Sequence, residues 1–193
     1  MMVATNERRM PQAGFTPQVA PRVIHALLTE LDRWRENEAE VRRWYPWAER
    51  FVMGLPLAPW QRPFVWTEEQ SRRFITSAWT GVHLGHYVLT EDRLKEGCAH
   101  VEYEFLANCV IEGQQRLRAL ELYLTDQLAV PDASGRLTLW GELGKQDVMR
   151  FKRTIYGCGV VRECGEKRLR EFYDLMNFGG TAHREGERAV GAC

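Results

Sequence analysis

Val110-Ile111-Glu112-Gly113-Gln114-Gln115-Arg116 is the stretch that decides how this chain is read. Phe105 to Ile111 is its most strand-like run, apolar and rich in residues that suit a pleated surface. Gly113 breaks that pattern. From Gln114 the period turns helical, with Leu117, Leu120 and Leu124 on one side. A strand that passes through a glycine into a helix presents the helix's first N–H groups, which have no partner inside the helix, at the positive end of its dipole. A phosphate is suited to that position. Gly113 lets the backbone turn sharply, Arg116 can offer a two-pronged guanidinium, and Glu112 can hold a metal ion or orient a water. The same spacing also fits plain structure, with Glu112 capping the helix and Gln114, Gln115 and Arg116 facing solvent. No Gly-Lys-Ser/Thr follows, so this is not a Walker loop.

Upstream, Tyr87 to Thr90 reads as a strand. Thr67 with Gln70 three residues on is a capping box, and Phe74, Ile75, Ala78 and Trp79 form the buried stripe of the helix it opens, stopped by Gly81. Before it, Gln61-Arg62-Pro63-Phe64-Val65-Trp66 is a stiff loop. Pro63 pushes Arg62 towards an extended conformation, which suits an anion clamp or an arginine stacked on Trp60 or Trp66. Phe51 to Leu57 reads as a short strand. From Pro21, Ile24, Leu27, Leu28, Leu31 and Trp34 trace one helical face, continued by Val41 and Trp44 until Pro46. Residues 1–20 are a polar lead-in, residues 21–50 a helical extension, and residues 51–193 the main domain.

Downstream, Asp132 to Gly135 is a turn, Leu137 to Trp140 a short strand and Lys145 to Lys152 a helix. Thr154 to Arg162 is a strand interrupted by Gly157 and Gly159. Leu169, Phe172, Tyr173 and Met176 mark a last helix ending at Asn177-Phe178-Gly179-Gly180. That run is either a helix cap and turn or a backbone that closes over a ligand, with Asn177 or Thr181 hydrogen-bonding it. Helices and short strands alternate irregularly, which predicts an α+β fold with a small mixed sheet flanked by helices.

The bulk numbers set limits. With 193 residues, 45% hydrophobic and 27% charged, the chain can build one ordinary core. Twenty-six basic residues balance twenty-six acidic ones, which argues against a surface that grips DNA throughout. Five cysteines without a C-x-x-C pair, no apolar leader and no long apolar run predict a cytoplasmic protein that does not enter the membrane. His83 and His86 lack a third ligand at metal spacing, and Cys109 reads as core rather than nucleophile.

Three segments in order carry a family resemblance: WQRPFVWTEEQ at 60–70, VIEGQQRLRAL at 110–120 and MNFGGTAH at 176–183. Together they resemble the N-terminal domain of GmrSD-type restriction endonucleases, the D-G-Q-Q-R group related to the ParB/sulfiredoxin superfamily. The resemblance implies a ParB/sulfiredoxin-like domain that binds, and often hydrolyses, a nucleoside triphosphate, with Mg²⁺, in systems that restrict or sense modified DNA. It implies that Gln61 and Arg62 contact the nucleotide, that Gly113, Gln114, Gln115 and Arg116 form the phosphate site, and that Asn177, Gly179, Gly180 and Thr181 close over it. Glu112 would hold the metal or position water, with Arg116 beside it in catalysis. Two departures matter. Glu112 stands where the family pattern has Asp, and a misplacement of about 1 Å can cost ~100-fold in rate, so turnover is more exposed than binding. Ten residues follow His183 and no nuclease pattern occurs, so the expectation is a stand-alone domain lacking its own nuclease. The alternatives are a non-catalytic DNA-binding module using arginines such as those from Arg162 to Arg170, and a protein-interaction module of a nuclease, defence or anti-defence complex using Trp34, Trp44 and Trp47.

Overall fold

A computed structural model describes residues 16–98, 100–162 and 165–178, with side chains through Met176. The chain opens with β1 (Gln18–Ala20), α1 (Ile24–Glu36) and α2 (Glu38–Trp44). The expected single stripe is broken at Asn37. Its backbone leaves the helical region, and its side-chain oxygen accepts from Glu40 N at 3.2 Å, which opens α2. Asn favours such breaks because its side chain competes for backbone donors.

Phe51 to Leu57 is not one strand. β2 (Phe51–Val52) turns back on β3 (Leu55–Pro56) through Met53 and Gly54, both with positive φ (53° and 77°). Two residues with that sign make the turn whose twist matches a hairpin. Met53 N donates to Glu121 Oε1 at 3.0 Å, so a buried carboxylate anchors the turn.

α3 (Glu68–Trp79) starts on the expected capping box of Thr67 and Gln70. β4 (His86–Thr90) follows. The strand expected from Phe105 contracts to β5 (Val110–Glu112), because Leu106 and Asn108 both take positive φ. Thr90 fastens that bend: its hydroxyl donates to Leu106 O and accepts from Cys109 N. α4 (Gln114–Leu124), β6 (Val130–Pro131) and β7 (Leu137–Thr138) come next. A 3₁₀ turn (Trp140–Glu142) takes the end of the strand expected there, and α5 (Lys145–Lys152) matches its predicted bounds. β8 (Gly157–Val161) contains the two glycines expected to interrupt it, and α6 (Glu166–Phe178) ends the described chain.

Four strands form one mixed sheet in the order β1-β8-β4-β5. β4 and β8 run parallel at the centre, and β1 and β5 flank them antiparallel. Both faces of the sheet are covered, which explains why β4 is apolar without alternation. Tyr87, Leu89, Val110 and Cys158 pack into one cluster with α1, α3 and α4, whereas Val88, Ile111 and Val161 pack into a second with Leu169 and Tyr173 of α6. The first cluster includes Ile24, Leu27, Leu28 and Leu31, so α1 shares its core with the segment that follows residue 50. β1 likewise brings residues 18–20 of the expected lead-in into the sheet. The fold is mixed α+β, as predicted.

Candidate functional site

The site lies where β5 gives way to α4. Glu112 ends the strand, and Gly113 caps the helix with φ at 97°. A Cβ on Gly113 would come 2.7 Å from Tyr87 Cβ and 3.4 Å from the Tyr156 hydroxyl, so the corner demands glycine for space as well as conformation. Among the described residues, nothing accepts from the backbone N–H groups of Gln114, Gln115 and Arg116, as expected for a first helical turn.

The structure brings the 61–66 loop onto this corner, and glutamines hold it there. Gln61 Nε2 donates to Val110 O at 3.1 Å and Ile111 O at 2.6 Å. Gln114 Nε2 donates to Arg62 O at 2.8 Å. Gln115 accepts at Oε1 from Val65 N (3.0 Å) and Trp66 N (3.2 Å), while its Nε2 donates to Pro63 O at 3.0 Å. Arg50 adds bonds to the carbonyls of Gln61 and Arg62. Gln114 and Gln115 are buried rather than solvent-facing, at 4% and 8% exposure. The glutamines of the two motifs thus position backbone.

The charged residues divide differently. Arg116 turns inward: Nη2 meets Glu112 Oε2 at 2.6 Å, Nη1 donates to Leu84 O at 3.0 Å, and the guanidinium lies 6.0 Å from the Tyr156 ring centre. Arg62 is exposed, and its guanidinium has no hydrogen bond or ion pair among the described residues. Glu112 and Arg116 cancel, which leaves Arg62 as the uncompensated charge among the described residues of this corner. A cavity of about 100 Å³ opens between these groups, lined also by Trp66 and Tyr173. Among the described residues, two buried polar atoms there or beside it have no partner. Gln114 Oε1 belongs to a cavity-lining residue, and the Tyr156 hydroxyl faces Gly113. Burial pushes the Tyr156 phenol well above its usual range, so it stays protonated.

Sequence reasoning missed Tyr173 and Tyr156, which reach the corner from α6 and from the residue before β8. Tyr173 read only as one member of a helical stripe. Asn177 lies within α6, which runs through Phe178, and its side chain is outside the described residues, as are Gly179, Gly180 and Thr181. His83 accepts from Gly85 N at 3.1 Å in a turn, and Cys109 is buried with its thiol pushed up, as a core cysteine should be. Among the described residues, no three His, Cys, Asp or Glu side chains converge to hold a metal, and no helix is long and apolar enough to cross a membrane.

The other candidate surfaces are largely internally matched. Arg162 faces Glu91 and Arg170 pairs with Glu166. Trp34 stacks on Phe51 at 4.6 Å, and Trp47 packs against the second core cluster. No family model matches this chain, and no curated protein or solved structure is significantly similar to it.

Proposed function

We propose that this chain is a ParB/sulfiredoxin-like domain that binds a nucleoside triphosphate at the β5–α4 corner. The carrying observation is convergence: Arg62, Gly113, the α4 N-terminus and the Glu112–Arg116 pair line one cavity. Helix amides and Arg62 attract phosphate, and the unpartnered Gln114 Oε1 offers an acceptor to a ligand hydroxyl, a water or a cation. The cavity is far below the ~300–1,000 Å³ of whole-ligand sites, so it suits a phosphate group while sugar and base rest outside it.

Mg²⁺ would supply charge neutralisation on the phosphates. Glu112 and Gln114 Oε1 are hard oxygen donors on the same cavity, which suits that ion when phosphate completes its shell. In the hydrolytic form of the proposal, phosphate competes with Glu112 for Arg116. The released carboxylate then orients a water and takes its proton as the water oxygen bonds to the γ-phosphorus. The bond between that phosphorus and the oxygen bridging to the β-phosphate breaks. A setting in restriction of modified DNA or phage defence rests on the motif resemblance, as do DNA and a nuclease or defence protein as partners, and cytoplasmic localisation rests on the composition. Isothermal titration with GTP, ATP, CTP and UTP, with and without Mg²⁺, tests binding, and absence of binding by all four removes the proposal. Phosphate release by the wild type, Glu112→Ala and Arg116→Ala tests turnover, which equal release from all three would place elsewhere.

A further inference from the structure

A larger cavity, about 620 Å³, opens away from this corner between α3, α5 and the β6–β7 hairpin. Its volume falls in the range of small-molecule sites. The floor is aromatic and stiff. Trp79 and Tyr123 both pack on Phe151, at 4.7 and 5.4 Å between ring centres, and Trp79 Nε1 donates to the Tyr123 hydroxyl at 3.0 Å. Tyr123 is fully buried, and among the described residues nothing accepts its own hydroxyl proton.

The rim is charged, and one of its charges already occupies the Trp79 face. The Arg150 guanidinium lies 4.9 Å from the Trp79 ring centre and 3.9 Å from Asp147 Oδ1. Both Arg150 and Asp147 are mostly exposed, so this contact is loose and open to exchange. Asp132 stands on the hairpin side of the same cavity. Its carboxylate takes bonds from the Ser134 hydroxyl and from the Ser134 and Arg136 N–H groups, which hold its pKa down to about 2. Burial above all raises the Tyr123 phenol, the bond from Trp79 lowers it, and the fields of Asp126 and then Asp147 raise it further. Asp147, which meets the guanidinium lying over Trp79, makes that face favour a cation, because the ring's quadrupole and the acid act in the same direction.

We infer that this cavity binds a small organic cation, an alkylammonium or guanidinium with an apolar body, whose charged end replaces the Arg150 guanidinium between Trp79 and Asp147. The apolar body lies over Trp79, Leu143 and Val130, and Arg150 is a side chain that the ligand displaces. The site is separate from the phosphate corner, so either reading can fail without the other.

The probe is phenethylammonium, with phenylpropionate and phenethyl alcohol as its anionic and neutral counterparts. Each is titrated into the full chain while the Trp79 indole N–H is followed by NMR. Phenethylammonium should bind about tenfold more tightly than either counterpart. Asp147→Asn should weaken it about tenfold, and Arg150→Ala should tighten it, with circular dichroism showing both variants folded. Equal binding of all three probes, preference for phenylpropionate, a Trp79 signal unmoved at millimolar ligand, or weaker binding by Arg150→Ala would each overturn the inference. Should Asp147→Asn fail to fold, the probe comparison and Arg150→Ala decide alone.

Discussion

Glu112 and Arg116, four residues apart across the Gly113 cap, hold each other at 2.6 Å with both side chains about four-fifths buried. Both residues line the cavity at the head of α4, so a phosphate drawn to Arg116 there must compete with a carboxylate of the chain itself. Glu112→Gln keeps the shape and removes the competing charge. Pyrophosphate should then bind about tenfold more tightly in metal-free buffer, by isothermal titration. Unchanged or weaker binding would show that Arg116 has no part in holding phosphate.

Gln115 joins α4 to the 61–66 loop by three hydrogen bonds. Gln115→Ala leaves the Val65 and Trp66 N–H groups without their acceptor and should cost about 1–3 kcal/mol in urea unfolding. Hydrogen exchange at those two amides should quicken more than at amides inside α3. A uniform change across both regions would mean that the loop is held by other contacts.

Gly113 and Gly97 both have positive φ, but only Gly113 is crowded, since a Cβ on Gly97 would meet nothing within 4 Å. Gly97→Ala therefore carries the conformational cost alone, about 1 kcal/mol. Gly113→Ala adds the collision with Tyr87 and should lower the unfolding midpoint distinctly further. Equal losses would show that the corner has room to relax.

Four of the six tyrosines, Tyr45, Tyr87, Tyr123 and Tyr156, have phenols pushed up chiefly by burial, Tyr123 to about 12 and the others beyond. A group with a raised folded pKa stabilises fully below its unfolded value, here 10.0, and that stability is lost as pH rises towards the folded value. Stability should thus be flat with respect to these groups below pH 10 and fall from there to pH 12 and above. Tyrosinate absorbance should show these phenols ionising late and together with unfolding. Independent titration of all six near pH 10, with the fold intact, would contradict the packing described around them.

Local signals in the sequence were legible where one short-range rule decided the outcome. The Thr67–Gln70 box, the α5 bounds and the passage from Glu112 through Gly113 to α4 all follow from capping or periodicity. Misses arose where distant contacts set the backbone. Leu106 takes positive φ inside an apolar run because Thr90 and the second core cluster fix the bend, and no neighbour in sequence announces that. Met53 turns because Glu121, sixty-eight positions away, receives its N–H. At the corner, residue types and spacing named the members but not their roles. Whether a glutamine faces a ligand or a loop carbonyl depends on the 61–66 backbone lying beside it, which periodicity does not report.

The parallel pairing of β4 with β8 has a consequence for how the molecule comes together. Its two partners are separated by residues 91–156, so the middle of the sheet closes only after that whole stretch has been made and gathered. A nascent chain stopped short of Gly157 holds β4 with one long side open, a template for joining other chains edge to edge. Synthesis halted or cleaved in that interval should yield aggregates, whereas the finished chain shields its own most adhesive strand.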